Sequence, residues 1–439
     1  MVADGLTAAA HPLPTDDGVP ADLVARLART AYVLIGEATH GTAEFYALRA
    51  EITRRLIVDH GFDAVAIEGD WPDAARVHRF VTGTGDGDSP DSALDAFVRF
   101  PRWMWRNTVV RDFVDWLGEY NANRPLQQRA GFYGLDLYSL YTSIDAVVTY
   151  LDTVDPDAAG RARERYACFG QTGVDAQRYG YATAAGLQEP CEDEVVDQLV
   201  DLQRRAVEYA RRDGRLPHDA FFEAQQNARL VADAKRYYRA MFRGRVESWN
   251  LRDRHMADTL DALATHLRDQ RGTGRVVVWA HNSHLGDARA TELGRAGELN
   301  LGQLARERHA GHTTLVGATT YAGEVTAASD WDGPVERKRV RPALPGSYED
   351  RLHALRVDRC WIDLSEDAAR VELADSRLQR AIGVIYRPET ERVSHYFRCL
   401  LPEQFDVLVH VDHTSALEPL DLTSGWEVGE APDTYPWAV

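Results

Sequence analysis

The stretch Tyr32-Val33-Leu34-Ile35-Gly36-Glu37-Ala38-Thr39-His40-Gly41 decides how the rest of the chain is read. Four apolar residues run into a glycine and a helical pattern follows, which reads as a buried strand giving way to a turn. Glu37 and His40 then stand just past the C-terminal edge of a strand. Ligands of open α/β sheets bind there, outside the carboxyl ends of the strands. A carboxylate three residues before an imidazole also places an orienting group within reach of a base. A plainer account makes Glu37 a solvated loop acid and His40 a capping residue.

Outward from this turn, Thr42 suits an N-cap, with Glu44 in the first helical turn where negative charge is favoured. Phe45, Leu48, Ile52 and Leu56 recur at three- and four-residue steps, so the helix packs one face on a sheet until Gly61 stops it. Ala64 to Ile67 is the next strand, followed at once by Glu68-Gly69-Asp70-Trp71. Strand, helix and strand fill one βαβ unit, and such a unit makes its strands parallel. Glu68 is thereby delivered to the edge that carries Glu37 and His40, and Arg49 can point back at it from the connecting helix. Trp71-Pro72 and the stretch 81–92 read as loop.

Further along, Gly131 to Leu135 forms a third strand ending at Asp136, and Val276 to Trp279 is a β-branched run suited to a central parallel strand. The latter leads into Ala280-His281-Asn282-Ser283-His284, again a polar cluster on a strand end. Additional strands are expected at Thr313–Ala318, Cys360–Leu364, Ile382–Tyr386 and Asp406–Val411. Between about 144 and 270 the pattern is helical: Ile144–Leu151, Ala158–Phe169, Glu192–Arg212, His218–Phe242 and Trp249–Arg268. Arg252, Asp253 and His255 fall on a long polar helix and read most simply as a solvated face. The expected fold is α/β, a mainly parallel central sheet flanked by helices, with a helical insertion over about 144–270. Residues 1–20 read as a loosely held arm. Although 439 residues would allow two or three domains, 21–439 reads as one.

A formal charge of −18 argues against nucleic acid or an anionic membrane surface as partner, since both are polyanions. Four cysteines without a C-x-x-C pair disfavour a disulfide framework or thiolate metal site and suit a reducing cytosol. Residues 1–20 lack a signal-peptide pattern and no apolar run reaches membrane-spanning length, so a cytoplasmic protein is expected. Phe97 to Trp116 is dense in aromatics, and helical spacing assigns about half of them to a core. Trp103 and Trp105, beside Arg102 and Arg106, could wall a cleft for a bulky apolar ligand. With Trp71 and Asp136 at strand ends, they are the candidate substrate-binding residues.

Acid–base hydrolysis needs a base to take a proton from water, a carboxylate to orient that base, and positive donors for the developing oxyanion. His40 suits the base and Glu37 or Glu68 the orienter, while Arg49 with His281 or His284 suits the donors. No G-x-S-x-G elbow exists for a serine nucleophile, and neither a Walker A sequence nor a G-x-G-x-x-G turn follows a strand. A metal-dependent alternative competes, because His281-x-x-His284 with His40, Glu37 and Glu68 would make an N/O site for zinc or manganese.

Leu34-Ile-Gly-Glu-Ala-Thr-His-Gly41 with Glu44 and Arg49, Ile67-Glu-Gly-Asp70 and Trp279-Ala-His-Asn-Ser-His284 together resemble the erythromycin esterase family. Gly134-Leu-Asp136, Ser248-Trp-Asn-Leu-Arg-Asp253 and Tyr386-Arg-Pro-Glu-Thr390 extend the resemblance over most of the chain. It implies an α/β core with helical elaboration and a deep cleft. It also implies water attack on a small-molecule ester or lactone, with His40 as general base, no covalent intermediate and no cofactor. Glu37, Arg49, Glu68, His281 and His284 would be the other site residues. The best-known members open macrolide lactones, and the wider G-E-x-x-H group includes metal-dependent proteins. A non-catalytic binding protein is a third reading, disfavoured because every matched polar position holds a chemically competent residue.

Overall fold

A computed structural model describes residues 4–14, 18–85, 89–172, 176–187, 192–205, 209, 218–423 and 426. Its strands are β1 (His11–Pro12), β2 (Tyr32–Ile35), β3 (Ala64–Asp70), β4 (Gly131–Asp136), β5 (Val276–Trp279), β6 (Thr313–Ala327), β7 (Glu336–Val340), β8 (Arg359–Asp363), β9 (Arg377–Arg380), β10 (Tyr396–Cys399) and β11 (Val407–Thr414). The main sheet runs β1-β8-β11-β6-β2-β5-β3-β4, with β7 paired to β6, and β9 and β10 form a separate hairpin. From β11 to β4 every pairing is parallel, so the C-terminal ends of β2, β5, β3 and β4 lie side by side. The antiparallel pairings within the sheet are β1 with β8, β8 with β11, and β7 with β6.

β2, β5 and β3 are buried along their whole length, which is why each reads as an apolar run rather than an alternating one. Two apolar clusters cover the two faces of the sheet. Leu34, Ala66 and Val278 point into one, and Val33, Ile35, Val65 and Val277 into the other, following the two-residue period of a strand. The helix Ala43–His60 covers the second face and ends at Gly61, whose φ of 64° is the left-handed closure glycine permits.

The helical run expected between about 144 and 270 is seen as Leu140–Val154, Pro156–Tyr166, Ala176–Ala184, Glu192–Arg204, His218–Ala240 and Arg245–Arg271. Residues 206–208 and 210–212 of the expected helix Glu192–Arg212 lie outside the described residues, as do 86–88 of the expected loop. The helix Arg245–Arg271 packs against β4, which brings the insertion to the polar edge of the sheet.

Several expectations are corrected. Trp71-Pro72 is not loop but the first turn of the helix Trp71–Val81, with proline where a missing N–H costs nothing. Ile382–Tyr386 is not a strand. It makes only isolated bridges, Ile382 to Thr39 and Ile385 to Ala328, while the regular pairing falls upstream in β9. The stretch read as a loose arm contains the helix Asp4–Ala9 and β1, and Leu6 and Leu13 are buried. Cys168 is disulfide-bonded, which sparse cysteine usage did not suggest, whereas Cys360 and Cys399 are buried thiols. No helix among the described residues is long and apolar enough to cross a membrane.

Candidate active site

The turn after β2 is packed too tightly for side chains at its two glycines. A Cβ on Gly36 would meet Asn282 Oδ1 at 2.2 Å, and one on Gly41 would meet the Thr326 carbonyl at 1.8 Å. Asn282 fastens this turn to its neighbours. Its backbone N–H donates to the Glu37 carbonyl at 2.9 Å and its side-chain amide to the Ala318 carbonyl at 2.7 Å. Thr42 occupies the N-cap position, but its hydroxyl pairs with that of Thr39 instead of capping the helix.

On this rigid turn Glu37 Oε1 lies 2.9 Å from His40 Nδ1. The contact fixes the tautomer with the proton on Nδ1 and leaves Nε2 as the free nitrogen of a side chain that lines the central cleft. Arg49 Nη2 lies 3.1 Å from Glu37 Oε2 but at an angle that makes no hydrogen bond, so the attraction is Coulombic. The guanidinium is buried, 4.1 Å from the Tyr46 ring centre and 5.3 Å from that of Trp279. Cation–π contact thus does part of the work of a solvent shell.

At the ends of β3 and β4, a second network forms around Arg252. Its Nη2 donates to Glu68 Oε1 at 2.8 Å and to Asp136 Oδ2 at 2.6 Å, and its Nε reaches Asp136 Oδ1 at 3.0 Å. His284 Nε2 lies 3.2 Å from Glu68 Oε1, and its Nδ1 lies 2.9 Å from Asp253 Oδ2. Its ring stacks on Trp249 at 4.4 Å with an 8° tilt. Burial opposes charging His284, but Asp253 and Glu68 outweigh it and raise the imidazole pKa to about 9. Burial would likewise raise Glu68, yet His284 and Arg252 hold it well below the usual carboxylate range. Burial pushes the Asp253 carboxyl up, against His284 and the Leu301 N–H that oppose it. Arg252 Nη1 also stands 3.0 Å from His284 Nε2. With both groups protonated that approach is repulsive, and it is tolerated because three carboxylates surround the pair.

His281 behaves oppositely. Its Nδ1 receives the Ser283 backbone N–H at 3.2 Å, so the ring proton sits on Nε2, facing the Ala38 carbonyl at 3.3 Å. Burial, reinforced by nearby His40, lowers its pKa to about 3 and keeps it neutral. The His40 and His281 ring centres are 4.8 Å apart. The His281 backbone N–H donates to Glu68 Oε2 at 2.8 Å, which ties the two halves of the site together.

These groups open into a cleft of about 830 Å³. His40, Glu68, Asp136, His281, His284 and Trp105 line it, while Glu37 and Arg49 stand behind His40. The Trp105 indole also donates to the Glu68 carbonyl at 3.2 Å. Trp71 and Trp103, candidate substrate-binding residues, are buried in the apolar clusters and do not line the cleft. Arg252 and Asp253 are not a solvated face. His255 stays away from the site, with Nδ1 2.9 Å from Asp233 Oδ2. Among the described residues no group of three or more His, Cys, Asp or Glu side chains converges as a metal ion would require.

The family model described as erythromycin esterase matches residues 57–414. A Bacillus subtilis (strain 168) protein provisionally named a hydrolase, YbfO, is 22% identical over 408 residues, covering 87% of this chain and 83% of its own. Erythromycin esterase type II of Escherichia coli is 22% identical over 399 residues, covering 83% of this chain and 90% of its own. In fold, a mutant of the erythromycin esterase EreC in its open conformation superposes with a TM-score of 0.66 at 16% identity, covering 91% of this chain and 95% of its own.

Proposed function

The chain belongs to the erythromycin esterase family, and on that premise we propose that it hydrolyses an ester or lactone by direct attack of water, with His40 as general base. The observation that carries the reading is the Glu37–His40 contact at 2.9 Å, which leaves Nε2 toward the cleft. Water on the cleft side gives a proton to Nε2 as its oxygen bonds to the carbonyl carbon. Glu37, on the Nδ1–H, stabilises the imidazolium that results. The tetrahedral oxyanion forms in a cleft also lined by Arg252 and by the charged His284, which serve as its cationic hydrogen-bond donors. Collapse breaks the carbon–oxygen ester bond, and His40 returns its proton to the leaving alkoxide.

No metal is required in this scheme. Arg252 Nη1 stands 3.0 Å from His284 Nε2, so a dication ligated there would face a guanidinium at close range. A panel of macrolides, lactones and aryl esters offered to the purified protein tests the proposal. Hydrolysis of at least one member is expected, and silence across the panel would overturn it.

A further inference from the structure

Behind the base, the helix Ala43–His60 turns one face toward the ends of β2 and β5, because Tyr46, Arg49 and Thr53 recur at three- and four-residue steps. The Arg49 cation on this face is held in an uncommon way. Arg49 and Tyr46 are fully buried, and no nitrogen of the guanidinium makes a hydrogen bond with a described residue. The facing Glu37 Oε2 makes none either, although Glu37 Oε1 holds His40 at 2.9 Å. Ring surface surrounds the charge instead, with the Tyr46 centre at 4.1 Å and that of Trp279 at 5.3 Å, both inside cation–π range. The Trp279 ring is itself fixed. Its Nε1 donates to Thr53 Oγ1 at 2.9 Å, and that hydroxyl donates to the Arg49 carbonyl at 2.7 Å. Burial, reinforced by Glu37, holds the Tyr46 phenol well above its usual range, so Arg49 meets a neutral ring and not a phenolate. A guanidinium beside a carboxylate ordinarily forks it with two N–H donors. Such a fork would draw Glu37 onto Arg49 and weaken its hold on the His40 Nδ1–H.

We infer that Tyr46, together with Trp279, is a positioning residue for the base: the two ring faces keep Arg49 a charged but unbonded neighbour of Glu37, and so reserve the Glu37 carboxylate for His40. The inference rests on the reading of His40 as general base. Neither ring lines the cleft, so substrate binding should not depend on them.

Two measurements on the full chain test it. The first is the downfield proton NMR resonance of the His40 Nδ1–H, assigned by its loss in His40→Ala, and it needs no substrate. Tyr46→Leu, which removes the ring, should move that resonance upfield. The His284 Nδ1–H, held by Asp253 at 2.9 Å, should stay in place and report an intact fold. The second is steady-state kinetics on an ester from the panel. Tyr46→Leu should lower kcat by about 10–10²-fold with KM unchanged, the scale of loss that a slightly displaced catalytic group brings. Tyr46→Phe, which keeps the ring face and drops the hydroxyl, should rescue both readouts. Tyr46→trifluorophenylalanine keeps the shape but weakens the attraction of the face for a cation, so it should shift both in the direction of Tyr46→Leu and stands in for that variant should it not fold. An unmoved His40 resonance in the variants that lose the face, or a Tyr46→Phe protein as impaired as they are, would overturn the inference. A resonance that moves as expected in a protein that hydrolyses no ester would retain this account of Arg49 and Glu37 and lose the general-base reading instead.

Discussion

Glu68 and Arg252, 184 positions apart, meet at 2.8 Å where the end of a sheet strand touches a helix of the insertion. The contact makes the insertion part of the site, because Arg252 is also the cation that Asp136 and Glu68 share.

Removing that cation should be severe. Arg252→Met strips buried Asp136 of this cation and leaves Glu68 with His284 alone, and breaking a buried pair costs about 3–5 kcal/mol. Arg252→Lys keeps the charge but loses the planar fork that spans both acids, so it should rescue stability only in part. Loss of one oxyanion-stabilising donor should also cut kcat/KM by about 10²–10³-fold. Urea unfolding and steady-state kinetics on the two variants check this, and a wild-type midpoint for Arg252→Met would contradict it.

Glu37 joins His40 to Arg49. In Glu37→Gln the side-chain amide can still contact Nδ1, but it no longer neutralises Arg49 or stabilises an imidazolium. We expect a fall in kcat of about 10²-fold or more, within the usual range for general-base assistance, and a lower Tm from the orphaned, fully buried guanidinium. Kinetics and thermal unfolding of the same preparation read both effects. Activity retained together with a lowered Tm would reduce Glu37 to a structural role.

His284 makes stability depend on pH. Its folded pKa of about 9 lies above the ordinary 6.5, so folding favours the protonated ring. Its contribution is complete below about 6.5 and is lost as pH rises through about 9. His281, held near 3, has the opposite sign: its contribution is present above 6.5 and lost progressively as pH falls toward 3. Tm should therefore decline between pH 6.5 and 9 in the wild type, and His284→Asn should flatten that limb. A limb of unchanged slope in the variant would contradict the assignment of charge to His284.

The sheet was legible because β2 and β5 are unbroken apolar runs closed by polar residues, and the observed boundaries, Tyr32–Ile35 and Val276–Trp279, coincide with the expected ones. The convergence of Glu37, His40, Glu68 and His281/His284 followed from parallel pairing, and that of Arg49 from the helix that connects two of the strands. Arg252 and Asp253 were not legible as site residues from pattern, because the helix Arg245–Arg271 is polar on most of its surface. Only its packing on β4 shows which polar face turns inward. The one local signal is Ser248-Trp-Asn-Leu-Arg-Asp253 itself, where Trp249 and Arg252 share a face and Asp253 reaches the other nitrogen of His284. Trp103 lies within the 3₁₀ turn Arg102–Met104 and Trp105 caps it; both are buried, yet only Trp105 lines the cleft, a difference that composition cannot convey.

The claim that water is activated by His40 without a metal is tested most directly by one comparison. The best ester from the substrate panel is assayed with wild type and His40→Ala, each after exhaustive chelation. The account predicts that chelated wild type keeps its full rate and that His40→Ala loses about 10²–10⁴-fold in kcat. Loss of wild-type activity on chelation, restored by added zinc or manganese, would contradict it, and so would a His40→Ala enzyme that hydrolyses the ester at the wild-type rate.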